Sequence, residues 1–175
     1  MKQSSYTTSV NHPEDVIYLR TVLLPVNLRL LASSPDYKEL VKHACALVEL
    51  CSLMKSEDYD YPYGFSGANA GVPWNIVSLV TNRGTANAAA LVMINPVITR
   101  KSEDTVDANS NCGSVQLTRK IKVKRHTWVD ATWYDVEGRR HSLVFSGQLA
   151  RTLQHEVDHN LGILITDKTI SVSTD

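Results

Sequence analysis

The segment His155-Glu156-Val157-Asp158-His159 sets two histidines four residues apart, with a glutamate directly after the first. On a helix, residues four apart lie about 40° apart around the axis, one turn above the other. Two imidazoles so placed can grip one metal ion. Glu156 then sits on the adjoining face, near enough to take a proton from water that the cation has made acidic. With 6 histidines in 175 residues, such a pentapeptide arises by accident on the order of once in a hundred chains of this composition.

A metal needs a third protein ligand. No glutamate and no third histidine follows the motif, which removes the arrangements completed by a downstream residue of either type. Upstream, Cys112 lies in the polar, glycine-containing segment Ser110-Asn111-Cys112-Gly113-Ser114. Cys45 and Cys51 lie instead on the first predicted helix and read as buried or half-buried small hydrophobes. Cys112 is therefore the best third ligand. A Cys112, His155, His159 set leaves one position open for water, as a catalytic site requires. Zinc, iron(II), nickel and cobalt all suit such donors.

Regular elements must hold these residues. Ser34-Pro35-Asp36 reads as an N-cap, a proline at the first helical position and an acidic first turn. Tyr37, Leu40, Val41, Ala44, Leu47, Val48, Cys51 and Met54 then recur at helical spacing. Residues 55–70 turn polar, aromatic and glycine-containing, which predicts a loop. Strands are predicted over 75–80, 89–94, 120–123, 127–134 and 141–145, with a turn at Asp135-Val136-Glu137-Gly138. A second helix begins near Ser146. Leu149, Leu153, Val157 and Leu161 form its apolar face, and Asn160 and Gly162 supply stop signals. The order predicts an α+β fold with antiparallel or mixed sheets packed around a central metal-binding helix, preceded by an N-terminal helix.

At 175 residues the chain is one domain's worth, residues 1–175, with enough length for one sizeable core. Hydrophobic residues make up 43% and charged residues 21%, as in an ordinary globular protein. Eighteen basic residues balance eighteen acidic ones, which argues against a DNA-binding role. No apolar stretch follows Lys2, and the longest apolar run, Ala88 to Ile94, is too short to span a bilayer. The expectation is a cytoplasmic protein with reduced cysteines and no membrane partner.

Gln154 to Leu164 resembles the third motif of the peptide deformylases, whose HExDH histidines bind a metal together with one cysteine. Ser110 to Ser114 is similar to that family's EGCLS motif, with Cys112 and Ser114 preserved. Gly64 to Pro73 resembles the GLAAPQ-x-G-x-P stretch of its first motif. Met93-Ile94-Asn95-Pro96 resembles the strand-to-loop Asn-Pro that follows. The resemblance spans roughly residues 20 to 168. The short tail after the metal helix is similar to that of phage-encoded members. The departures are Asn69 for the family's glutamine, Ser110-Asn111 for Glu-Gly and Gly113 for leucine.

The resemblance implies release of formate from N-formylmethionyl nascent peptides, with iron(II) as the native metal. It implies Glu156 as general base and acid. The donors to the developing oxyanion would be the Asn69 amide, one methylene short, and the backbone N–H of Gly113. Tyr63, Gly64 and Phe65 would wall the methionine pocket and pair with the peptide backbone. Asp158 would make a structural ion pair with Arg119. The basic run Arg119 to Arg125 reads mainly as the solvated face of an alternating strand, with transient ribosome contact as the sharper alternative. Two other readings stand beside this one. One is a catalytically impaired, metal-stabilised module that binds peptide N-termini; the other is a different HExxH metallopeptidase.

Overall fold

The structure, a computed structural model, describes residues 13–54, 63–110, 112–115 and 121–172. Two short helices, α1 (Pro13–Leu19) and α2 (Leu28–Ser33), precede the long helix α3 (Pro35–Leu53). The start of α3 follows from its sequence. Ser34 Oγ accepts the Tyr37 N–H, and Pro35 occupies the first turn, where no backbone donor is needed. Val41, Ala44, Cys45, Val48 and Cys51 are buried, as their spacing requires, whereas Leu40 and Met54 of the expected stripe face solvent.

Strands β1 (Gly64–Ser66), β2 (Ile76–Thr81), β3 (Ala89–Lys101), β6 (Trp128–Tyr134) and β7 (Arg140–Ser146) form one sheet in the order β1-β2-β3-β6-β7. Strands β4 (Thr105–Ser110), β5 (Ile121–His126) and β8 (Thr169–Val172) form a second sheet in the order β4-β5-β8. All pairings are antiparallel. In the five-stranded sheet, Ile76 and Ile94 pack with α3, and Val77, Leu79 and Met93 pack on the other side. β2 is therefore an almost unbroken buried run, as strands covered on both faces are.

Helix α4 (Gly147–Asn160) lies against that second side, with Ala150 and Leu153 in the same cluster as Val77 and Met93. Its other side meets β5 and the short 3₁₀ turn Ile165–Lys168. The helix thus runs between the two sheets.

Several expectations need correction. β1 lies within the expected loop 55–70, whose first eight residues fall outside the described ones. Asn95-Pro96 does not end a strand. β3 continues to Lys101 through a bulge between Ile94 and Val97, and Asn95 takes φ 51° there. The Asn95 amide accepts the Val26 N–H at 2.8 Å and donates to the Val26 carbonyl at 2.9 Å, which ties the bulge to the segment before α2. Leu161, expected on the apolar face of α4, is exposed. Beside Ala150 and Leu153, the buried residues of that helix are polar: Thr152, Gln154, Glu156, Asp158, His159 and Asn160.

The C-terminus of α4 is closed by Gly162 at φ 71°. The Gly162 N–H donates to His159 O and the Ile163 N–H to Asp158 O, the paired bonds of a glycine-terminated helix. A Cβ on Gly162 would stand 2.4 Å from the carbonyl oxygen of Arg20. Gly162→Ala combines a left-handed backbone with a backbone clash. It should lower unfolding free energy by at least about 2 kcal/mol in a denaturant titration. A variant as stable as the parent would show that the segment after α1 can withdraw without cost.

Candidate metal centre

Helix α4 buries Gln154, Glu156, Asp158, His159 and Asn160. Each needs a partner, because a buried polar group without one costs about 1–3 kcal/mol. Gln154 bonds the backbone of His126, at the end of β5, through both ends of its amide at 3.0 Å. Asn160 donates to Asn75 Oδ1 and to Ile76 O, and it accepts the Ala68 N–H at 3.2 Å. Asp158 accepts from Arg125, buried on β5, and from Lys168 at 2.6 Å. Arg125 and Lys168 hold the place expected for Arg119, which lies outside the described residues. The alternation of β5, with Ile121, Val123 and Arg125 inward, carried the signal for Arg125.

These clamps bring three donors together. Cys112 Sγ lies 3.2 Å from His159 Nε2, which lies 3.2 Å from His155 Nε2. All three donor atoms fall within 4.8 Å of one another. A tetrahedral cation with bonds of about 2.0–2.3 Å sets such atoms about 3.3–3.6 Å apart. The two separations that meet at His159 fit one metal ion to within a few tenths of an ångström, and the third pair, Cys112 with His155, lies within 4.8 Å. Cys112 pairs with Val115 in a short antiparallel bridge after β4, a strand that sequence periodicity did not predict.

The electrostatics suit a cation. Burial pushes the Cys112 thiol up to about 12, against N–H groups of Ser114 and Val115 that favour the thiolate. Burial lowers both imidazoles, His159 to about 4, so neither carries charge at neutral pH. Burial raises Glu156 to about 8, with Arg125 opposing and Asp158 adding to the shift. His159 Nδ1 has no hydrogen-bond partner among the described residues, so the ring is engaged through Nε2 alone.

The other expected site residues surround this group. Asn69 is buried, and its Nδ2 donates to Ser114 Oγ at 2.6 Å. Among the described residues, nothing stands within 4 Å of where a Gly113 side chain would begin. A Cβ on Gly64 would come within 3.1 Å of Glu156 Cγ, so β1 lies directly against the glutamate. Among the described residues β1 pairs only with β2, through Val80 N–H to Tyr63 O and Gly67 N–H to Ile76 O. The alternation turns both backbone groups of Gly64 away from β2, along the open side of the sheet. Phe65 is half-buried against the α3 cluster. Tyr63 is exposed, and Arg83 stacks 4.2 Å over its ring.

A family model described as polypeptide deformylase matches residues 29–174. A peptide deformylase of Thermosynechococcus vestitus is 31% identical over 105 residues, which span 60% of this chain and 55% of that one. The fold is similar to that of a class I type b peptide deformylase from Acinetobacter baumannii bound to Met-Ala-Ser. That likeness has TM-score 0.70 and 22% identity, and covers 92% of this chain and 96% of that one. It is also similar to a probable peptide deformylase from Synechococcus phage S-SSM7, at TM-score 0.70 and 23% identity, over 94% and 99% of the two chains.

Elemental analysis should find one equivalent of a divalent metal. Cys112→Ala should lose it, while Cys45→Ala and Cys51→Ala, with thiols buried in or beside α3, should keep it. One tight equivalent retained in Cys112→Ala would remove the cysteine from the ligand set.

Proposed function

Because the chain belongs to the peptide deformylase family, we propose that it hydrolyses N-formylmethionyl nascent peptides and releases formate. The observation that carries this reading is the grouping of Cys112, His155 and His159 beside Glu156, with an open sheet edge against that glutamate. The family is metal-dependent. Cys112, His155 and His159 would hold a divalent cation, iron(II) in the native protein, with zinc, nickel or cobalt acceptable to the same donors. When bound, it supplies Lewis acidity to the formyl group and lowers the pKa of water.

The chain's own residues do the rest. Glu156 takes the proton of the attacking water and later delivers it to the leaving amine. Its burial raises its pKa to about 8, close enough to neutral pH that neither taking nor giving the proton is strongly uphill. Negative charge grows on the formyl oxygen as the water adds. The Asn69 amide and the Gly113 N–H are the donors that meet it. Gly64 offers its outward N–H and C=O to an extended peptide, which leaves sequence beyond the methionine weakly read. Tyr63 and Phe65, expected to wall the methionine pocket, lie on the face of β1 opposite Glu156, with Phe65 against the α3 cluster, and so support the strand rather than the methionine side chain.

The products of this reaction are nascent chains, so the proposed setting is the cytoplasm, near the ribosome. Lys122 and Lys124 lie on the exposed face of β5 and could meet ribosomal RNA briefly. Arg125 cannot join them, because it is buried on Asp158. Among the described residues no helix is long and apolar enough to cross a membrane.

Glu156→Gln keeps the size and loses the base. Metal content should persist while formate release from a formyl-Met peptide falls by at least about 10²-fold. A near-normal rate would end this mechanism. The two glycines give a second check. A Cβ on Gly64 would meet Thr152 Cγ2 at 2.7 Å and Ser78 O at 2.9 Å as well as Glu156. Gly64→Ala should displace the glutamate and cut the rate by at least about tenfold. Gly113→Ala, with nothing within 4 Å among the described residues, should leave metal content unchanged and thermal stability within about 0.5 kcal/mol. Equal rates for Gly64→Ala and the parent would mean that β1 does not position Glu156.

A further inference from the structure

Ser66 and Asn69, both buried beside the metal centre, are among the residues that depart from the GLAAPQ stretch. Ser66 stands at its alanine and Asn69 at its glutamine. Ser66 is fully buried and Asn69 is 5% exposed. Ser66 Oγ accepts the Asn69 backbone N–H at 3.3 Å, and the Ser66 hydroxyl donates to Asn69 Oδ1. The other end of the amide, Nδ2, donates to Ser114 Oγ. Ser114 in turn directs its backbone N–H at the Cys112 sulfur. The short amide is held at both ends, between β1 and the cysteine segment.

Which end faces the cysteine segment decides what the amide can do. An amino group stabilises a developing oxyanion, and a carbonyl oxygen repels it. Ser114 cannot choose between them, because a hydroxyl accepts or donates equally well. Ser66 can choose. Its oxygen already takes the Asn69 N–H. On a fully buried side chain, its own hydrogen is satisfied by donation to the Asn69 carbonyl oxygen.

We propose that Ser66 is a positioning residue for the formyl-oxygen donor. Its hydroxyl fixes the Asn69 amide with the amino group toward Cys112 and offsets the methylene that asparagine lacks. This rests on the deformylase reading above. Without the hydroxyl the amide can turn over, and in the turned state its carbonyl meets the growing charge. Ser66 with Asn69, and alanine with glutamine, are two complete solutions. The mixed pairs are not: one leaves a short amide unfixed, and the other crowds a long amide against the hydroxyl.

The test is a double-mutant cycle on metal-loaded protein with a formyl-Met peptide. Ser66→Ala should lower kcat by at least about tenfold with KM within about twofold, because the bond strengthens mainly as charge develops. Asn69→Gln alone should also lower kcat. The double variant, Ser66→Ala with Asn69→Gln, should recover about half of the parental kcat or more, far above the product of the two single effects. Metal content should be equal in all four proteins. Affinity for a peptidyl hydroxamate, read by calorimetry, should follow the same order, while Met-Ala-Ser binds all four alike. A merely structural serine would lower thermal stability and metal content together, without rescue in the double variant. Full kcat in Ser66→Ala, or no rescue, overturns the proposal. If the parent releases no formate, the functional reading fails and the hydroxamate decides alone: equal affinity for the parent and Ser66→Ala overturns the positioning role.

Discussion

Helix α4 buries polar side chains along most of its length, and that burial organises what lies around it. Gln154 takes the backbone of His126, Asp158 takes Arg125 and Lys168, and Asn160 takes Asn75, Ile76 and Ala68. A buried amide or carboxylate is worth little unless satisfied and expensive when left alone. Each clamp therefore fixes one neighbouring element in one place. Gln154 and Asp158 fix β5 and so the three-stranded sheet, from whose first strand the chain leads to Cys112. Asn160 fixes the entry of β2 and the turn that carries Asn69. The donor group assembles with all three atoms within 4.8 Å because the helix that bears two donors also holds the segments that bring the rest.

Nothing in the fit of the three donors demands that they be close in sequence, and they are not: Cys112 and His155 sit on different layers. The pair of sheets does the joining. One face of β2 meets α3 and the other meets α4, so an apolar frame sets the depth of the helix. The polar clamps then set its rotation and height. Hydrophobic burial alone specifies neither, since it is non-directional.

The elements with a strong period were legible. Ser34-Pro35 opened α3, the alternating or apolar runs marked β2, β5, β6 and β7, and Gly162 closed α4. β1 was not, because three residues carry no period. β4, Thr105–Ser110, was hidden because its half-buried positions are Val106, Ala108 and Ser110, with one large apolar group among them, alternating with exposed Thr105, Asp107 and Asn109. The spacing of His155 and His159 pointed to a shared cation, and the choice of Cys112 followed by elimination among the cysteines. The clamps of Gln154 and Asn160 left no trace in the sequence, since side-chain bonds to backbone depend on which backbone arrives. The same holds for Ser66, whose hydroxyl acquires meaning only beside Asn69. Leu161 misled because a period of four was read past the last turn of the helix, where Gly162 already turns the chain away.

An edge left open for an extended peptide is equally open to the edge of another copy of the chain. β1 meets that hazard with its length. Gly67 turns back to Ile76, and the Ser66 carbonyl is taken by the Ala70 N–H, so Gly64 is the residue of β1 with both backbone groups turned outward. Two backbone bonds contribute about 1 kcal/mol each. Association of two folded copies loses about 4–15 kcal/mol of translational and rotational freedom. Among the described residues the edge is therefore too short to nucleate sheet-to-sheet assembly, yet long enough for a ligand that brings its own side-chain contacts. Self-association through this strand is suppressed by geometry, with no need of a charged or proline guard on β1.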